Sequence, residues 1–253
     1  MSTEPTDPRA AQVASFWDDK HARGAQAGTH AGTTDVSGDP LTLRAREHFG
    51  DLHGKKLLDL GCGSGDAALY FARQGAEVTA VDVSEVAIAR LRERAAAAGV
   101  PLRAEACGAM DIAALGPFDC IFGALILHHI EPFDVFAGTL RASLRDGGKA
   151  YFFENSAKSR LLIWFRTHVV GKLWVPKYGD PDEFPLTEDE VASLGRHFQV
   201  RREIGEMVFL QLASSYLLRG HLSGPFKRAD ELLYRWPRMR GLSYFQHLYL
   251  DAR

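Results

Sequence analysis

Three glycines and two aspartates mark one short stretch of the chain as a ligand-binding turn. Gly61, Gly63 and Gly65 fall between two apolar runs, and Asp59 and Asp82 stand where those runs end. In an open α/β sheet the ligand binds beyond the carboxyl ends of the strands, where glycines let the backbone approach it and the next helix presents free N–H groups. The sequence therefore predicts a ligand held between the glycine turn and the two carboxylates.

The glycine spacing and the carboxylates limit what that ligand can be. From residue 61 the turn reads "GCGSG", which is not the G-x-G-x-x-G of dinucleotide sites. A carboxylate at Asp59 would repel a pyrophosphate but suits a ligand that carries an ammonium and a sulfonium charge. Asp82 is placed to accept hydrogen bonds from both hydroxyls of a ribose. A positive methionine end, a ribose and an adenine together predict S-adenosylmethionine.

A second group of residues that could do chemistry lies in "LILHHI" and "FFEN". His128 and His129 are predicted to end the fourth strand and Glu154 lies at the end of the fifth, which brings all three to the same edge of the sheet. Adjacent residues on extended backbone face opposite ways, so one histidine is expected in the crevice and the other in a structural hydrogen bond. Because a histidine near its ordinary pKa can remove a proton from an acceptor, we predict His128 or His129 as the base, with Glu154 orienting or assisting it.

The elements that must position these residues alternate from Lys56 onward. The runs "KLLDL", "AEVTAVDV", "VPLRAEA", "FDCIFGALIL" and "GGKAYFFEN" are typical of strands. Helical patterns separate most of them, including "SEVAIARLRERAAAAG", which is predicted to begin at the N-cap Ser84 and to end at Gly99. This βαβ rhythm predicts an α/β fold with a mostly parallel sheet covered by helices on both faces.

Three motifs of this chain resemble those of the class I S-adenosylmethionine-dependent methyltransferases. "LLDLGCGSG" is similar to their first motif, "AVDVS" to the acidic end of their second strand, and "FDCIFGALILHHI" to the strand that leads to the acceptor. The resemblance covers roughly residues 50 to 155. It implies a Rossmann-like, mostly parallel seven-stranded sheet with an antiparallel last strand and a helical insertion after the fifth strand. It also implies an enzyme that methylates a small molecule.

The resemblance carries the family's cofactor contacts onto positions of this chain. Asp59 is implied near the amino group and Asp82 on the ribose hydroxyls. Where the family often has an acidic residue that reads the adenine amino group, this chain has Gly108, so backbone groups there or the side chain of Asp111 are expected to serve instead. The implied cofactor-binding residues are Asp59, Gly61, Cys62, Gly63, Asp82, Val83, Gly108, Ala109, Met110, Gly123 and Ala124.

The acceptor is expected to be held by the more variable parts of the chain. Residues 1–40 are predicted to form a lid, with a frayed first dozen residues and a mobile loop from Gly24 to Pro40, and residues 41–253 to form one domain. Segments 156–183 and about 206–237 are expected to form a substrate cap for an apolar, aromatic or isoprenoid molecule. The predicted substrate-binding residues are Phe16, Trp17, His21, Trp164 and Tyr178. Basic residues of the insertion could be solvated or could bind an anionic group such as a diphosphate.

Composition narrows the class of partner. The chain has 253 residues, 46% of them hydrophobic, and a formal net charge of −2, so no global field attracts nucleic acid or an anionic membrane. Three cysteines without paired or metal-like spacing, and no signal-like or membrane-spanning run, predict a cytoplasmic protein without a metal. We expect a monomer or a homodimer. Methylation of a protein or RNA, and noncatalytic binding of the cofactor, remain alternatives. Whether carbon, oxygen or nitrogen is methylated stays open.

Overall fold

The computed structural model describes residues 8–26, 39–170, 184–205, 209–218 and 221–253. Its strands are β1 Lys56–Leu60, β2 Glu77–Asp82, β3 Arg103–Ala106, β4 Phe118–Ala124, β5 Leu144–Asn155, β6 Phe198–Ile204 and β7 Phe245–Ala252. Its helices are α1 Pro8–Gln26, α2 Pro40–Phe49, α3 Asp66–Arg73, α4 Glu85–Ala98, α5 Phe133–Ala142, α6 Arg160–His168, α7 Glu188–Leu194, α8 Phe209–Leu217 and α9 Ser223–Tyr234.

The seven strands form one mixed sheet in the order β3-β2-β1-β4-β5-β7-β6. Strands β1 to β5 pair parallel with one another, whereas β7 pairs antiparallel with both β5 and β6. The fold class predicted from the sequence is confirmed. Because the chain order reverses between β1 and β4, the carboxyl ends of these two strands open the crevice in which such folds bind ligands.

Each face of the sheet carries its own apolar core. Leu57, Phe71 and Phe122 belong to the core on the face covered by α2, α3 and α4, while neighbouring Leu58 and Phe152 belong to the core on the face of α5 and α7. Successive strand residues point to opposite faces, so strands buried on both sides read as continuous apolar runs. The sheet is thus a rigid platform for the groups at its carboxyl edge.

Local signals set the ends of the helices beside the site. The Ser84 hydroxyl accepts a hydrogen bond from the backbone N–H of Ala87 and caps α4, which ends at Gly99 in the left-handed conformation. Both features agree with the sequence prediction. Helix α2 begins in the same way, because the carboxylate of Asp39 accepts a hydrogen bond from the backbone N–H of Leu41 at 3.0 Å.

The N-terminal region departs from the sequence prediction. Residues expected to fray instead begin helix α1 at Pro8, and the helix continues to Gln26, into the segment predicted as a loop. Proline is well suited to the first turn of a helix, and Val13, Phe16 and Trp17 follow at helical spacing and are half-buried. Contacts between this helix and α4 supply the tertiary packing that stabilises a helix beyond its own propensity.

Among the residues that the structure describes, no helix is long and apolar enough to cross a membrane.

Candidate active site

The glycine turn after β1 adopts a conformation that larger residues resist. Gly61 and Gly63 have φ angles of +70° and +49°. A Cβ atom at Gly61 would lie 2.7 Å from the side chain of Ile126. The backbone N–H groups of Gly61 and Cys62 both donate to the carbonyl oxygen of Val81, at 2.9 and 3.0 Å. The turn is therefore tied to β2 and leaves a close backbone surface at the carboxyl edge.

Asp82, the last residue of β2, fastens this turn from the other side. Its Oδ2 accepts a hydrogen bond from the N–H of Gly63 and its Oδ1 accepts one from the N–H of Ser84, both at 2.9 Å. Each carboxylate oxygen has a second lone pair, and the residue is only half-buried. Asp82 therefore has the capacity to accept two further hydrogen bonds, and its contact with the ribose hydroxyls stays a prediction.

Asp59 provides a test of whether a cationic cofactor fits this site. Its side chain is 2% exposed, and Oδ2 has no hydrogen-bond partner among the described residues. Burial, together with the nearby charge of Asp82, raises the pKa of the Asp59 carboxyl to about 7. A buried carboxylate with an unsatisfied oxygen, beside a second carboxylate, is stabilised by a bound cation. The methionine ammonium of S-adenosylmethionine supplies one, so the residues present fit the cofactor.

We expect cofactor binding to release a proton from Asp59. The free protein holds this proton below about pH 7, and the bound ammonium favours the ionised carboxylate, so the apparent affinity rises with pH and levels off above pH 7. The affinity for S-adenosylhomocysteine should rise about fivefold from pH 6 to pH 7. This range lies below the ordinary pKa of an amino group, so the ligand stays an ammonium throughout. Calorimetry in two buffers of different ionisation enthalpy counts the protons. A pH-independent affinity that Asp59→Asn leaves unchanged would refute this assignment.

The predicted adenine-side residues lie where β3 ends. Gly108 precedes the 3₁₀ helix Ala109–Leu115, and Ala109 and Met110 are half-buried against the core. A Cβ atom at Gly108 would lie 3.4 Å from Oδ2 of Asp111, so this carboxylate stands beside the position that an acidic residue often occupies in the family. Val83, between Asp82 and Ser84, is half-buried at the same edge. These four positions, with Asp111, stay a predicted adenine pocket.

Two of the predicted cofactor residues, Gly123 and Cys62, are small because neighbouring groups pack closely around them. A Cβ at Gly123 would meet the Phe152 ring at 2.7 Å, so glycine is required there for packing. Cys62 is buried, and burial beside Asp59 raises the pKa of its thiol, which keeps it protonated as the small filler expected from the sequence. Ala124 is half-buried at the end of β4, at the carboxyl edge of the sheet, and stays a predicted cofactor contact.

The backbone after β4 turns sharply at a residue that the sequence did not indicate. Leu125 has a φ of +54°, in the left-handed region that non-glycine residues avoid. Its N–H donates to the carbonyl oxygen of Phe153 at 2.8 Å, and its side chain is exposed. Strained backbone of this kind clusters at functional sites, since surrounding structure must hold it. No sequence signal marks Leu125, because the residue type disfavours this conformation.

The turn at Leu125 corrects the prediction that both histidines lie on a strand. Strand β4 ends at Ala124, and His128 and His129 lie in the 3₁₀ turn Leu127–His129. Successive side chains of a 3₁₀ turn are about a third of a turn apart, whereas those of a strand point in opposite directions. The two imidazole rings accordingly lie side by side, with their centroids 4.1 Å apart. The expectation that they face opposite ways is therefore wrong.

Glu154 pairs with His128. Its Oε2 lies 2.6 Å from Nδ1 of His128, and its Oε1 accepts hydrogen bonds from the N–H groups of Ile126 and Leu127, both at 2.7 Å. The side chain of Glu154 is fully buried and that of His128 is 2% exposed. A carboxylate held by two N–H donors can accept the Nδ1 proton of His128, and it then favours the tautomer whose basic nitrogen is Nε2. This arrangement is the one that a general base requires.

Helix α1 brings its aromatic residues to this pair and to the glycine turn. The Trp17 ring packs edge-on against His129, with centroids 5.4 Å apart, and Phe16 packs against Trp17. The His21 ring lies 3.7 Å from the position of a Cβ at Gly63, and its carbonyl oxygen accepts a hydrogen bond from Arg90. His21 is therefore placed at the cofactor turn, although the sequence suggested an acceptor contact.

Asp18 anchors the helix, and sequence reasoning missed it. Its Oδ1 accepts hydrogen bonds from the Ser84 hydroxyl at 2.5 Å and from the N–H of Val86 at 3.2 Å, at the N-terminus of α4. Negative charge is favourable at that end of a helix. The sequence predicts the N-terminus of α4, which favours a nearby acidic side chain. It does not identify which distant acidic residue binds there.

Of the remaining predicted acceptor residues, the structure describes Trp164. Trp164 is 55% exposed and stacks on His168 of its own helix. Tyr178 lies outside the described residues. Of the basic residues in the insertion, Arg166 donates to the hydroxyl of Tyr244, and Lys158 and Arg160 are exposed. No three His, Cys, Asp or Glu side chains of the described chain form a group that could hold a metal ion.

Several known proteins that are similar to this chain are methyltransferases. A family model described as "Methyltransferase domain" matches residues 57–148. A ubiquinone biosynthesis O-methyltransferase of Thiobacillus denitrificans is 32% identical over 186 residues, which cover 71% of this chain and 79% of that protein. One of Sinorhizobium medicae is 33% identical over 144 residues, so that the match spans only 58% of that relative. The solved structure of geranyl diphosphate C-methyltransferase from Streptomyces coelicolor A3(2) has a TM-score of 0.63 at 15% identity, with 99% of each chain covered, a likeness of fold alone.

The sheet order, the glycine turn and the two carboxylates define a Rossmann-like protein that binds a cationic nucleoside cofactor. With these relatives, the chain belongs to the class I S-adenosylmethionine-dependent methyltransferases. The cofactor of this family is S-adenosylmethionine, which confirms the prediction from the sequence.

Proposed function

We propose that this protein transfers a methyl group from S-adenosylmethionine to a hydroxyl group of a small aromatic molecule, with His128 as the general base. The observation that carries this proposal is the hydrogen-bonded pair of His128 and Glu154 at the carboxyl edge of β4 and β5. Oxygen acceptors need a proton removed, and several relatives are named as O-methyltransferases of ubiquinone biosynthesis. A pair built to hold an imidazole as a base therefore favours oxygen over a nitrogen that is already nucleophilic.

The cofactor would be held by the turn and the two strand ends already described. Asp59 would bind its ammonium, the Gly61–Gly63 turn would contact the methionine and ribose, and Asp82 would bind the ribose hydroxyls. When bound, S-adenosylmethionine supplies a methyl group activated by a sulfonium charge. The protein's own residues must align the acceptor with the methyl group and accept the acceptor's proton.

His128 can accept that proton at Nε2. As the acceptor hydroxyl loses its proton, the imidazole becomes positively charged, and Glu154 lies 2.6 Å from its Nδ1 to stabilise that charge. Glu154 touches neither the acceptor nor the cofactor in this scheme, because its two oxygens are occupied by His128 and two backbone donors. It is a positioning residue, and His128 is the catalytic one.

Helix α1 would act as a lid over the site, in agreement with the lid predicted for residues 1–40 from the sequence. Its contacts to α4 through Asp18 and to His129 through Trp17 support a position over both the cofactor turn and the base. A lid that excludes water strengthens the electrostatic interactions beneath it and protects the reacting groups.

Asp18→Ala is expected to loosen this lid and to lower the methyl-transfer rate at least about tenfold, since a hydrogen bond to a charged group contributes about 1.5–3 kcal/mol. Faster amide hydrogen exchange over residues 8–26 would show that α1 has detached. Glu85→Ala removes the same charge from the same end of α4 at an exposed residue and should leave both measurements unchanged. If Asp18→Ala detaches the helix while transfer continues at the wild-type rate, α1 is not a catalytic lid.

The proposed reaction is tested by incubating the protein and S-adenosylmethionine with catechol, a thiol, an amine and an activated-methylene compound. Mass spectrometry then identifies which atom gains the methyl group. We expect methylation of the phenolic oxygen. Transfer to nitrogen or carbon alone would contradict the oxygen assignment, and cofactor binding without any transfer would favour a noncatalytic role.

A further inference from the structure

Three residues on one face of α4 bind parts of the chain that lie outside this helix. Val86, Arg90 and Arg94 follow one another at intervals of four residues, and all three are half-buried. Residues four apart lie on the same side of a helix, one above the other. The N–H of Val86 donates to Asp18 of α1, and the two arginines continue this row of contacts along α4.

Arg94 binds the glycine turn that is proposed to hold the cofactor. Its Nη1 donates to the carbonyl oxygen of Ser64, and its Nη2 donates to Oδ1 of Asp66 at 2.6 Å. The Ser64 hydroxyl donates to the other oxygen of the same carboxylate at 2.8 Å. A Cβ atom at Gly65 would overlap the side chain of Leu91, so the turn also packs directly on α4. Because a guanidinium presents several donors in a fixed plane, Arg94 holds the carbonyl and the carboxylate in one arrangement.

Arg90 binds the proposed lid in a similar way. Its Nη1 donates to the carbonyl oxygen of His21 on α1 at 2.5 Å. Cε1 of the His21 ring lies 3.7 Å from the position of a Cβ atom at Gly63, so this part of α1 stands against the glycine turn. A ligand that rests on the turn would therefore lie next to the segment that Arg90 holds.

Helix α4 is itself fixed to the sheet. Leu91, between the two arginines, is fully buried in the apolar core. Arg92 donates two hydrogen bonds to the carbonyl oxygen of Ala104 on β3, at 3.0 and 2.5 Å. The helix therefore sets the position of the lid relative to the turn, because a shift of either one breaks a charged hydrogen bond to Arg90 or Arg94.

We propose that Arg90 and Arg94 are positioning residues that make cofactor binding and closure of the α1 lid depend on each other. Arg94 keeps the glycine turn, and Arg90 keeps His21, in place on one rigid helix. A cofactor on the turn then meets a closed lid, and a closed lid adds to the affinity for the cofactor. Such coupling is reciprocal by thermodynamic necessity. The inference rests on the proposed function, since it takes α1 to be the lid, but it does not depend on which atom is methylated.

Calorimetric titration with S-adenosylhomocysteine measures the effect of the lid contact on the cofactor site. Arg90→Met removes a bond to α1 and is nevertheless expected to weaken binding at least about fivefold. Arg94→Met should weaken binding by at least as much. Arg94→Lys, which keeps the charge but not the planar fork, should fall between Arg94→Met and the wild type.

Arg92→Met is the matched control. It removes the same charge and two hydrogen bonds from the same helix, but these bonds go to β3. The affinity of this variant for S-adenosylhomocysteine should stay within about twofold of the wild-type value, even if its unfolding temperature falls.

Amide hydrogen exchange over residues 8–26 measures the reverse effect. Since the coupling is reciprocal, saturating S-adenosylhomocysteine should slow exchange there at least about fivefold in the wild type. Arg94→Met should reduce this slowing to less than about twofold, although the bonds of Arg94 go to the turn. Exchange over the same residues in free Arg94→Met should match that of the free wild type, because Asp18 and Arg90 still hold α1.

Three results would overturn the inference. They are wild-type affinity in Arg90→Met, full slowing of exchange in Arg94→Met, and an equal loss of affinity in Arg92→Met, which would assign the effect to the stability of α4 as a whole. Thermal unfolding shows whether each variant is folded, and Arg90→Gln, which stays polar at this half-buried position, should show the same loss as Arg90→Met. Neither measurement involves methyl transfer, so the inference can fail while the proposed reaction holds, and the reaction can fail while the inference holds.

Discussion

His128→Ala is expected to lower the rate of methyl transfer by ~10²–10⁴-fold at saturating substrates, the usual range for loss of a general base. The affinity for S-adenosylhomocysteine should stay near the wild-type value, because the residues proposed to hold the cofactor lie on other elements. A fall in kcat without a change in cofactor affinity is expected for a group that acts mainly in the transition state. Rapid-quench or steady-state assays with catechol, together with calorimetry, measure both quantities.

Two further variants distinguish the base from its neighbours. His129→Ala removes an equal imidazole 4.1 Å away and should cost far less, since its ring packs against Trp17 rather than bonding to Glu154. Glu154→Gln keeps an oxygen for the backbone donors but removes the charge that stabilises the imidazolium, so kcat should fall while KM changes little. If His128→Ala transfers methyl at the wild-type rate, His128 is not the base. A larger effect of His129→Ala would move that role to His129.

Asp82→Ala is expected to weaken cofactor binding by about 1.5–3 kcal/mol, which corresponds to roughly 12- to 160-fold in Kd. The carboxylate is proposed to accept charge-assisted hydrogen bonds from the ribose hydroxyls, and it also holds the N–H groups of Gly63 and Ser84 in place. Losing it therefore removes ligand contacts and loosens the glycine turn together. Calorimetric titration with S-adenosylhomocysteine gives the change directly.

Asp134→Ala is the control for the loss of charge, because Asp134 is exposed on α5 and pairs with Arg196. It should leave cofactor affinity unchanged. An affinity of Asp82→Ala equal to that of wild type would remove Asp82 from the cofactor site. The resemblance to the family would then hold for the fold but not for this contact.

The amino-acid sequence by itself determined the sheet, the cofactor turn and the class of ligand. Each of these depends on local chemistry that the residue types report directly. Glycines permit the positive φ angles of the turn, short apolar runs between turn residues are typical of buried strands, and a polar residue at a strand end must lie at the sheet edge. Asp59 and Asp82 could therefore be placed from the sequence, and the structure finds them beside the turn.

Only the tertiary structure decided how the reactive groups are paired. His128 and Glu154 are 26 residues apart, and the hydrogen bond between them depends on the strained turn at Leu125, which its residue type disfavours. In the same way, α1 is helical because it packs on α4, and Arg94 binds Ser64 because the fold brings the glycine turn onto α4. Contacts between segments distant in the chain leave no periodic signal in either segment, since each side chain is compatible with several partners until the fold brings one within reach.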